Sequence, residues 1–364
     1  MDHHNPILIT GASGFIGRQV CAQLTRARRP VLAMLRQPQQ QLPALRAAVD
    51  SLGGEGSLLQ AVAGDLDQPD LGLSEPLPAL AAVIHLGARF AWQLPMASAR
   101  RTNVDGALAV AQLAHQQQAR LVFISGFMLE NLAHLARLGI HLDDPEQTDW
   151  QNVYRHAGGY EASKLEAAIR VRHYARTQSL ALVEVQPATV AGDSGNGQLD
   201  QQQPLYQLID NLARGRMAAI PGTPEHWLPL VAVDLLARLI ARAATADQVP
   251  ATLLALDPAT PSLKGLLGEA ATALGRKPPR RFLPMPILAA LLRIPGLPRL
   301  MNTWPEALHF IQTTRFDTRA SDAFMAQEGL AHPPIGQVIA ASTRFYQQQQ
   351  VPGGDAAASP LQGP

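Results

Sequence analysis

The sequence predicts an α/β protein built on a doubly wound parallel sheet, with a smaller, mostly helical C-terminal substrate subdomain. Three observations carry that reading. The first is an opening strand–turn–helix unit. The apolar run Ile7-Leu8-Ile9 ends in Thr10, glycines follow at Gly11, Gly14 and Gly17, and Ile16, Val20 and Leu24 recur every four residues. The second is that apolar runs alternate with helical segments for about 190 residues. The third is that these runs are apolar throughout, as strands covered on both faces of a parallel sheet must be.

In the opening unit, Gly11 can make the sharp turn, Gly14 lets the backbone approach a pyrophosphate, and Gly17 lets the helix pack closely on the strand. The amides from Ser13 and Gly14 through Phe15, Ile16 and Gly17 then face the phosphates at the positive end of the helix. Further strands are expected at 30–35, 58–63, 82–86, 120–125 and 181–186, with helices at about 97–116 and 156–178. Right-handed crossovers give the strand order 3-2-1-4-5-6, with the ligand at the switch point beside the first strand. An insertion at 127–157 leaves the carboxyl edge of the sheet and is expected to cover the site; 130–138 suits a short helix and 141–152 a turn-rich stretch. Residues 1–187 thus form the nucleotide-binding unit. The substrate-side subdomain is placed at 188–345, with helices at 203–213, 231–243 and 261–275 and one edge strand at 253–256 returning to the sheet. The segment 346–364, rich in glutamine and then in Gly, Pro, Ala and Ser, has the composition of a disordered tail.

Bulk composition narrows the function classes. The 364 residues carry a formal net charge of +1, which gives no overall attraction to nucleic acid or to an anionic membrane. The single cysteine, Cys21, cannot form an internal disulfide. No apolar run reaches the ~20 residues of a membrane span, and the start of the chain lacks the parts of a signal peptide, so the cytoplasm is the expected compartment. The eleven histidines show no metal-ligand spacing, and no metal is expected.

Tyr160 and Lys164 stand four apart in a helical run, which puts both side chains on one face. A phenol beside an ammonium can give a proton to, or take one from, a substrate oxygen. At the end of the second strand, Arg36 stands where a carboxylate would bond a ribose 2′-hydroxyl; a guanidinium there suits a 2′-phosphate, and NADP is expected over NAD. His85 reads as a hydrogen-bonded packing residue, Asp193 and Ser194 as turn formers, and Asp234 as structural.

These pieces together resemble an extended short-chain dehydrogenase/reductase with a Rossmann domain. The matching motifs are Thr10-Gly11-x-x-Gly14-x-x-Gly17, Gly64-Asp65-Leu66, Val83-Ile84-His85-Leu86-Gly87-Ala88, Asn103-Val104-Asp105-Gly106, Tyr160-x-x-Ser163-Lys164 and Pro187-Ala188-Thr189-Val190. The string Gly192-Asp193-Ser194 after the sixth strand is similar to the thioester-reductase-like, male-sterility-type branch. The resemblance implies NAD(P) as hydride carrier, Tyr160 as acid/base, Lys164 on the nicotinamide ribose, Asp65 near the adenine amino group and Asn103 beside the active site. It also implies cofactor contacts from Thr10, Leu66, Leu86, Gly87, Ala88, Pro187, Thr189 and Val190. The substrate class it implies is a small carbonyl compound or an acyl-carrier-linked thioester.

Two positions depart from the pattern. The fifth strand ends in Ser125-Gly126, where the family usually carries a second hydroxyl that polarises the substrate carbonyl; Ser125 is the nearest candidate. Gln186 stands where sugar-nucleotide epimerases and dehydratases of the family commonly place an arginine, which disfavours that activity. The alternatives are therefore a sugar-nucleotide epimerase/dehydratase, or a dinucleotide-binding sensor or scaffold without turnover.

Overall fold

The computed structural model describes residues 5–350. The first half of the chain runs β1 (Ile7–Thr10), α1 (Phe15–Arg26), β2 (Val31–Leu35), α2 (Pro38–Ser51), β3 (Leu59–Ala63) and β4 (Ala82–His85). It continues with α3 (Met96–Ala99), α4 (Gly106–Gln116), β5 (Arg120–Ile124), α5 (Leu132–Arg137), α6 (Trp150–Ala157), α7 (Gly159–Gln178) and β6 (Leu182–Pro187). The second half runs β7 (Thr189–Ala191), α8 (Pro204–Ala213), β8 (Ile220–Pro221), β9 (Leu230–Ala232), α9 (Val233–Thr245) and β10 (Thr252–Ala255). It ends with α10 (Leu263–Ala273), β11 (Phe282–Leu283), α11 (Met285–Leu291), α12 (Leu297–Met301), α13 (Arg319–Gln327) and α14 (Ile335–Gln350).

The central sheet is seven-stranded, in the order β10-β6-β5-β4-β1-β2-β3, and every pairing in it is parallel. The doubly wound order expected from the alternating pattern is the observed one, and the edge strand from the C-terminal half is β10. Apolar runs explain the core: β1, β2 and β4 are buried along their whole length, because helices cover both faces. The reversal of order lies between β1 and β4, so Thr10 stands level with Met34 on one side and His85 on the other. Loops leaving these carboxyl ends have no strand beyond them to close the gap.

Packing corrects four boundaries. The helix expected at 97–116 is interrupted by a π-helical turn, Arg100–Asp105, between α3 and α4. The helix expected from 156 is two helices, because Gly158 takes a φ of +82° that an α-helix excludes; α7 begins at Gly159, one residue before Tyr160. In the insertion, 150–157 is the amphipathic α6, capped by Asp149, so only 141–149 remains turn-like. The first part of the segment expected as a tail, 346–350, is ordered. Tyr346 is buried with its hydroxyl donating to Asp210 at 2.7 Å, and α14 continues to Gln350; the rest of that segment lies outside the described residues.

The C-terminal half is divided between two places. Helix α9 lies on the main sheet against α1, β4, β5 and β6, whereas α8, α10 and α14 pack on one another. A separate small core of Leu288, Leu292 and Leu308 holds α11 against the segment 305–310. Among the described residues, no helix is long and apolar enough to cross a membrane.

Candidate active site

Gly11 sits at φ +72°, and a Cβ there would stand 2.7 Å from the amide nitrogen of Gly87, so the turns after β1 and β4 touch backbone to backbone. At Gly17 a Cβ would stand 2.2 Å from the carbonyl oxygen of Gly11, which is why α1 can start directly behind the turn. Thr10 locks the two turns: its Oγ1 accepts from the Gly87 amide at 3.2 Å and lies 2.7 Å from Nδ1 of His85. His85 is buried, and burial together with the nearby Lys164 ammonium pushes its pKa down to about 3, so it is a neutral packing group. No side chain caps the first turn of α1, so its amides are free for an anion.

These turns open on a cavity of about 650 Å³. Of the residues expected to contact a cofactor, Gly11, Ser13, Gly14, Arg36, Asp65, Leu66, Leu86, Gly87 and Ala88 line it. Thr10, Phe15, Ile16, Gly17, Tyr160 and Lys164 do not line it; Thr10 and Gly17 are buried behind the turn. Pro187, Thr189 and Val190 are also outside the lining, because β7 leaves the main sheet to pair with β9. Thr189 is buried there with no hydrogen-bond partner for its hydroxyl. The cavity wall also includes Asp67, Arg89, Phe90, Thr102 and Gln202, none of which the sequence singled out. Arg89 and Phe90 follow directly on Leu86-Gly87-Ala88 and were within reach of that motif; Gln202 carries no sequence signal.

Asn103, in the π-helical turn, is the joint between this cavity and α7. Its Oδ1 accepts from the Arg89 amide at 2.7 Å, and its Nδ2 donates to the Arg89 carbonyl and, at 2.9 Å, to Oγ of Ser163. The loop after β4 is thereby fixed to the helix that bears Tyr160 and Lys164. Phe90, on that loop, meets the Tyr160 ring edge to face, with centroids 4.5 Å apart and planes at 82°. Trp92 packs on Phe90 and on Phe310, so the cavity-lining Phe90 belongs to an aromatic cluster with Tyr160, Trp92 and Phe310.

Tyr160 and Lys164 are half-buried. Burial pushes the Tyr160 phenol up to about 12. Burial also brings the Lys164 ammonium down to about 8, against the opposing pull of Glu184. Lys164 Nζ donates to the carbonyl oxygen of Ile124, at the carboxyl end of β5, at 2.5 Å. Ser125, the next residue, donates its hydroxyl to the buried carboxylate of Glu184, whose other oxygen accepts from Arg172 at 2.5 Å. The position of Gly126 is extended, and a Cβ there would meet nothing within 4 Å.

One cluster was not visible in the sequence at all. Glu161 is buried and accepts from His134 Nε2 and His309 Nδ1, each at 2.7 Å. Burial opposes its ionisation, but those two hydrogen bonds outweigh that and hold its carboxyl below the usual range. The ligand atoms of all three residues lie within 4.8 Å of one another, the one group among the described residues able to hold a metal ion.

Comparison with known proteins agrees with this architecture. A family model described as the male sterility protein matches residues 9–240. The L-2-aminoadipate reductase large subunit of Penicillium chrysogenum is 28% identical over 269 residues, which is 68% of this chain and 19% of that protein. The polyketide synthase-nonribosomal peptide synthetase ACE1 of Pyricularia oryzae is 28% identical over 262 residues, 67% of this chain and 6% of that protein. The chain therefore corresponds to less than a fifth of either relative's length. In fold it is similar to the terminal R domain from the myxalamid PKS-NRPS biosynthetic pathway, with a TM-score of 0.72 and 20% identity over 96% of this chain and 92% of that one. With the glycine turn, the seven-stranded parallel sheet and the matched motifs in place, the chain belongs to the NAD(P)-binding male sterility protein family, the thioester-reductase-like branch of the extended short-chain dehydrogenases/reductases.

Proposed function

We propose that this chain is a reductase that uses NADPH in preference to NADH and acts on a carbonyl compound or an acyl thioester presented by an anionic carrier. The observation that carries the reading is the Phe90–Tyr160 contact, which joins a cavity of dinucleotide size to a phenol on a lysine-bearing helix face. The residues present fit such a cofactor: the glycine turns leave room for a pyrophosphate, and Arg36 stands exposed at the far end of the lining. When bound, the nicotinamide supplies the hydride.

The chain's own groups do the rest. The free amides of the first turn of α1 bind phosphate oxygens, and Arg36 takes the 2′-phosphate. Tyr160 donates its proton to the substrate oxygen as the carbonyl carbon is reduced. Its phenol, pushed up by burial in the free protein, is a poor acid alone; the Lys164 ammonium on the same helix face stabilises the phenolate left behind. For a thioester, hydride and the Tyr160 proton give a hemithioacetal, whose hydroxyl proton passes to sulfur as the carbon–sulfur bond breaks, leaving a free thiol and an aldehyde. Phe90, Trp92 and Phe310 place an apolar cluster beside the Tyr160 ring, which disfavours water there. The reductase named among the relatives and the R domain similar in fold support the class of reaction.

A screen of NADPH oxidation against acyl-CoA, acyl-carrier thioesters, aldehydes and ketones tests the proposal. Turnover should appear with one of these classes and fall by about 10²-fold or more in Tyr160→Phe, with NADPH affinity retained. Undiminished turnover in that variant would sink the mechanism. A second reading, a dinucleotide-binding sensor without turnover, draws on the engagement of Ser125 by Glu184 and the missing hydroxyl at Gly126. Tight NADPH binding with no oxidation in any arm of the screen would favour it.

A further inference from the structure

We propose that His134, Glu161 and His309 form a binding site for a zinc-class divalent cation, which pins the insertion and the 305–310 segment to the helix carrying Tyr160. The donors are of the kind zinc selects, two imidazole nitrogens and one carboxylate. They come from three separate parts of the chain, α5, α7 and the segment after α12, and are brought together only by the fold. Donors around one zinc at ~2.0–2.2 Å lie roughly 3–3.6 Å apart. Here the two nitrogen–carboxylate separations are 2.7 Å and no pair of ligand atoms exceeds 4.8 Å, so small side-chain rotations bring all three onto one centre, the ring protons now shared with Glu161 passing to the other ring nitrogen or to solvent as the metal binds.

The backbone at this point is held independently of the three side chains. Asn131 caps α5 by accepting from the His134 amide at 3.0 Å, and its Nδ2 donates to Gln312 Oε1 at 2.7 Å. Gln312 is in turn paired through its backbone with Trp227. His134 and His309 therefore face Glu161 from anchored positions, as metal ligands require.

Charge argues the same way. Glu306 is close enough for its charge to bear on both Glu161 and His309, and neither carboxylate has a lysine or arginine ion-pair partner among the described residues. The two carboxylates set a negative potential at the cluster, against which Arg137 is the cation whose charge also acts on His309. That potential attracts a divalent cation. With Glu161 next to Tyr160 in α7, such an ion would fix the start of that helix.

The test is zinc stoichiometry and Co²⁺ absorption on the whole chain carrying His3→Ala and His4→Ala, so that the N-terminal pair contributes no site. After dialysis against micromolar Zn²⁺, one equivalent should be retained and the melting temperature should rise with added metal. Co²⁺ should give the visible bands of low-coordinate nitrogen–oxygen ligation. His134→Asn, His309→Asn and Glu161→Gln should each lose the retained equivalent and the bands, with the fold checked by circular dichroism. No retained zinc in the folded parent overturns the proposal, as does full retention in any two of these variants. Should all three variants fail to fold, a parent whose Co²⁺ spectrum is octahedral and water-like overturns it, and a low-coordinate spectrum upholds it.

Discussion

The hydroxyl of Ser125 is hydrogen-bonded to the carboxylate of Glu184 on the neighbouring strand β6. Glu184 is buried, and its second oxygen is held by Arg172, so Ser125 completes a structural ion network. We predict that Ser125→Ala costs about 1–2 kcal/mol of stability, the worth of a hydrogen bond to a charged group partly compensated by Arg172. Its kcat should change less than twofold. Thermal unfolding and steady-state kinetics on one preparation decide this, since a collapsed kcat with unchanged melting would return the hydroxyl to the reaction.

Gly126 offers the complementary experiment. A Cβ at this position meets open space, and its extended backbone is one that any residue adopts. Gly126→Ser should therefore fold normally and add a donor at the place the fifth strand of related enzymes supplies one. Turnover should rise, by up to about 10²-fold if the hydroxyl reaches the developing oxyanion. A folded variant with wild-type kcat would show that this position does not face the substrate oxygen.

Arg36 is exposed, lines the cavity and makes no ion pair among the described residues, so its guanidinium is available to a ligand. Arg36→Asp should weaken NADPH binding by about 1–3 kcal/mol, and the new carboxylate should leave NADH binding equal or tighter. Fluorescence titration of both cofactors measures the difference. Equal losses would remove Arg36 from the 2′-phosphate.

Lys164 gives a pH dependence whose sign follows from its burial. Its folded pKa, about 8, lies below the ordinary 10.5, so the ammonium is present below pH 8 and lost as pH rises through it. In the free protein kcat/KM should fall above about pH 8. Stability moves the other way: between about pH 8 and 10.5 the unfolded chain binds the extra proton, so folding becomes more favourable as pH rises. Lys164→Met should thus gain more stability relative to wild type at pH 7 than at pH 9, with denaturant titrations as the measure. A pH-independent difference would place the shift elsewhere.

The sheet was legible in the sequence because its signals are local. A buried parallel strand is a short apolar run, and the glycine turn states its geometry in its own spacing. The nucleotide end of the site inherited that clarity, from Gly11 through Arg36 to Ala88. What escaped notice depends on long-range packing. His134, Glu161 and His309 are separated by 27 and 148 positions, and no periodicity links them. The orientation of Ser125 turned on a carboxylate 59 positions away. The break at Gly158 rests on the φ of one residue, which the helical periodicity on either side masks.

The last prediction concerns substrate delivery. Between Glu269 and Glu306 the chain has no acidic residue, and Arg276, Lys277, Arg280, Arg281, Arg293 and Arg299 are all exposed. The same stretch holds three of the four large hydrophobic side chains that are strongly exposed among the described residues, Ile287, Ile294 and Leu300. It rests on its own small core of Leu288, Leu292 and Leu308, and leads directly into the segment that bears His309 and Phe310, the latter packed on Trp92. Positive charge around an apolar surface at that location suits an acyl group carried on an anionic partner. Attraction of this kind acts over a Debye length of ~8 Å at physiological ionic strength and weakens with salt. Arg280→Glu with Arg281→Glu should raise KM for an anionic acyl carrier and flatten its salt dependence, while leaving kcat and the reduction of a small neutral aldehyde unchanged. The neutral aldehyde is the deciding control. If both substrates lose activity together, the two arginines support the fold of this region and deliver nothing.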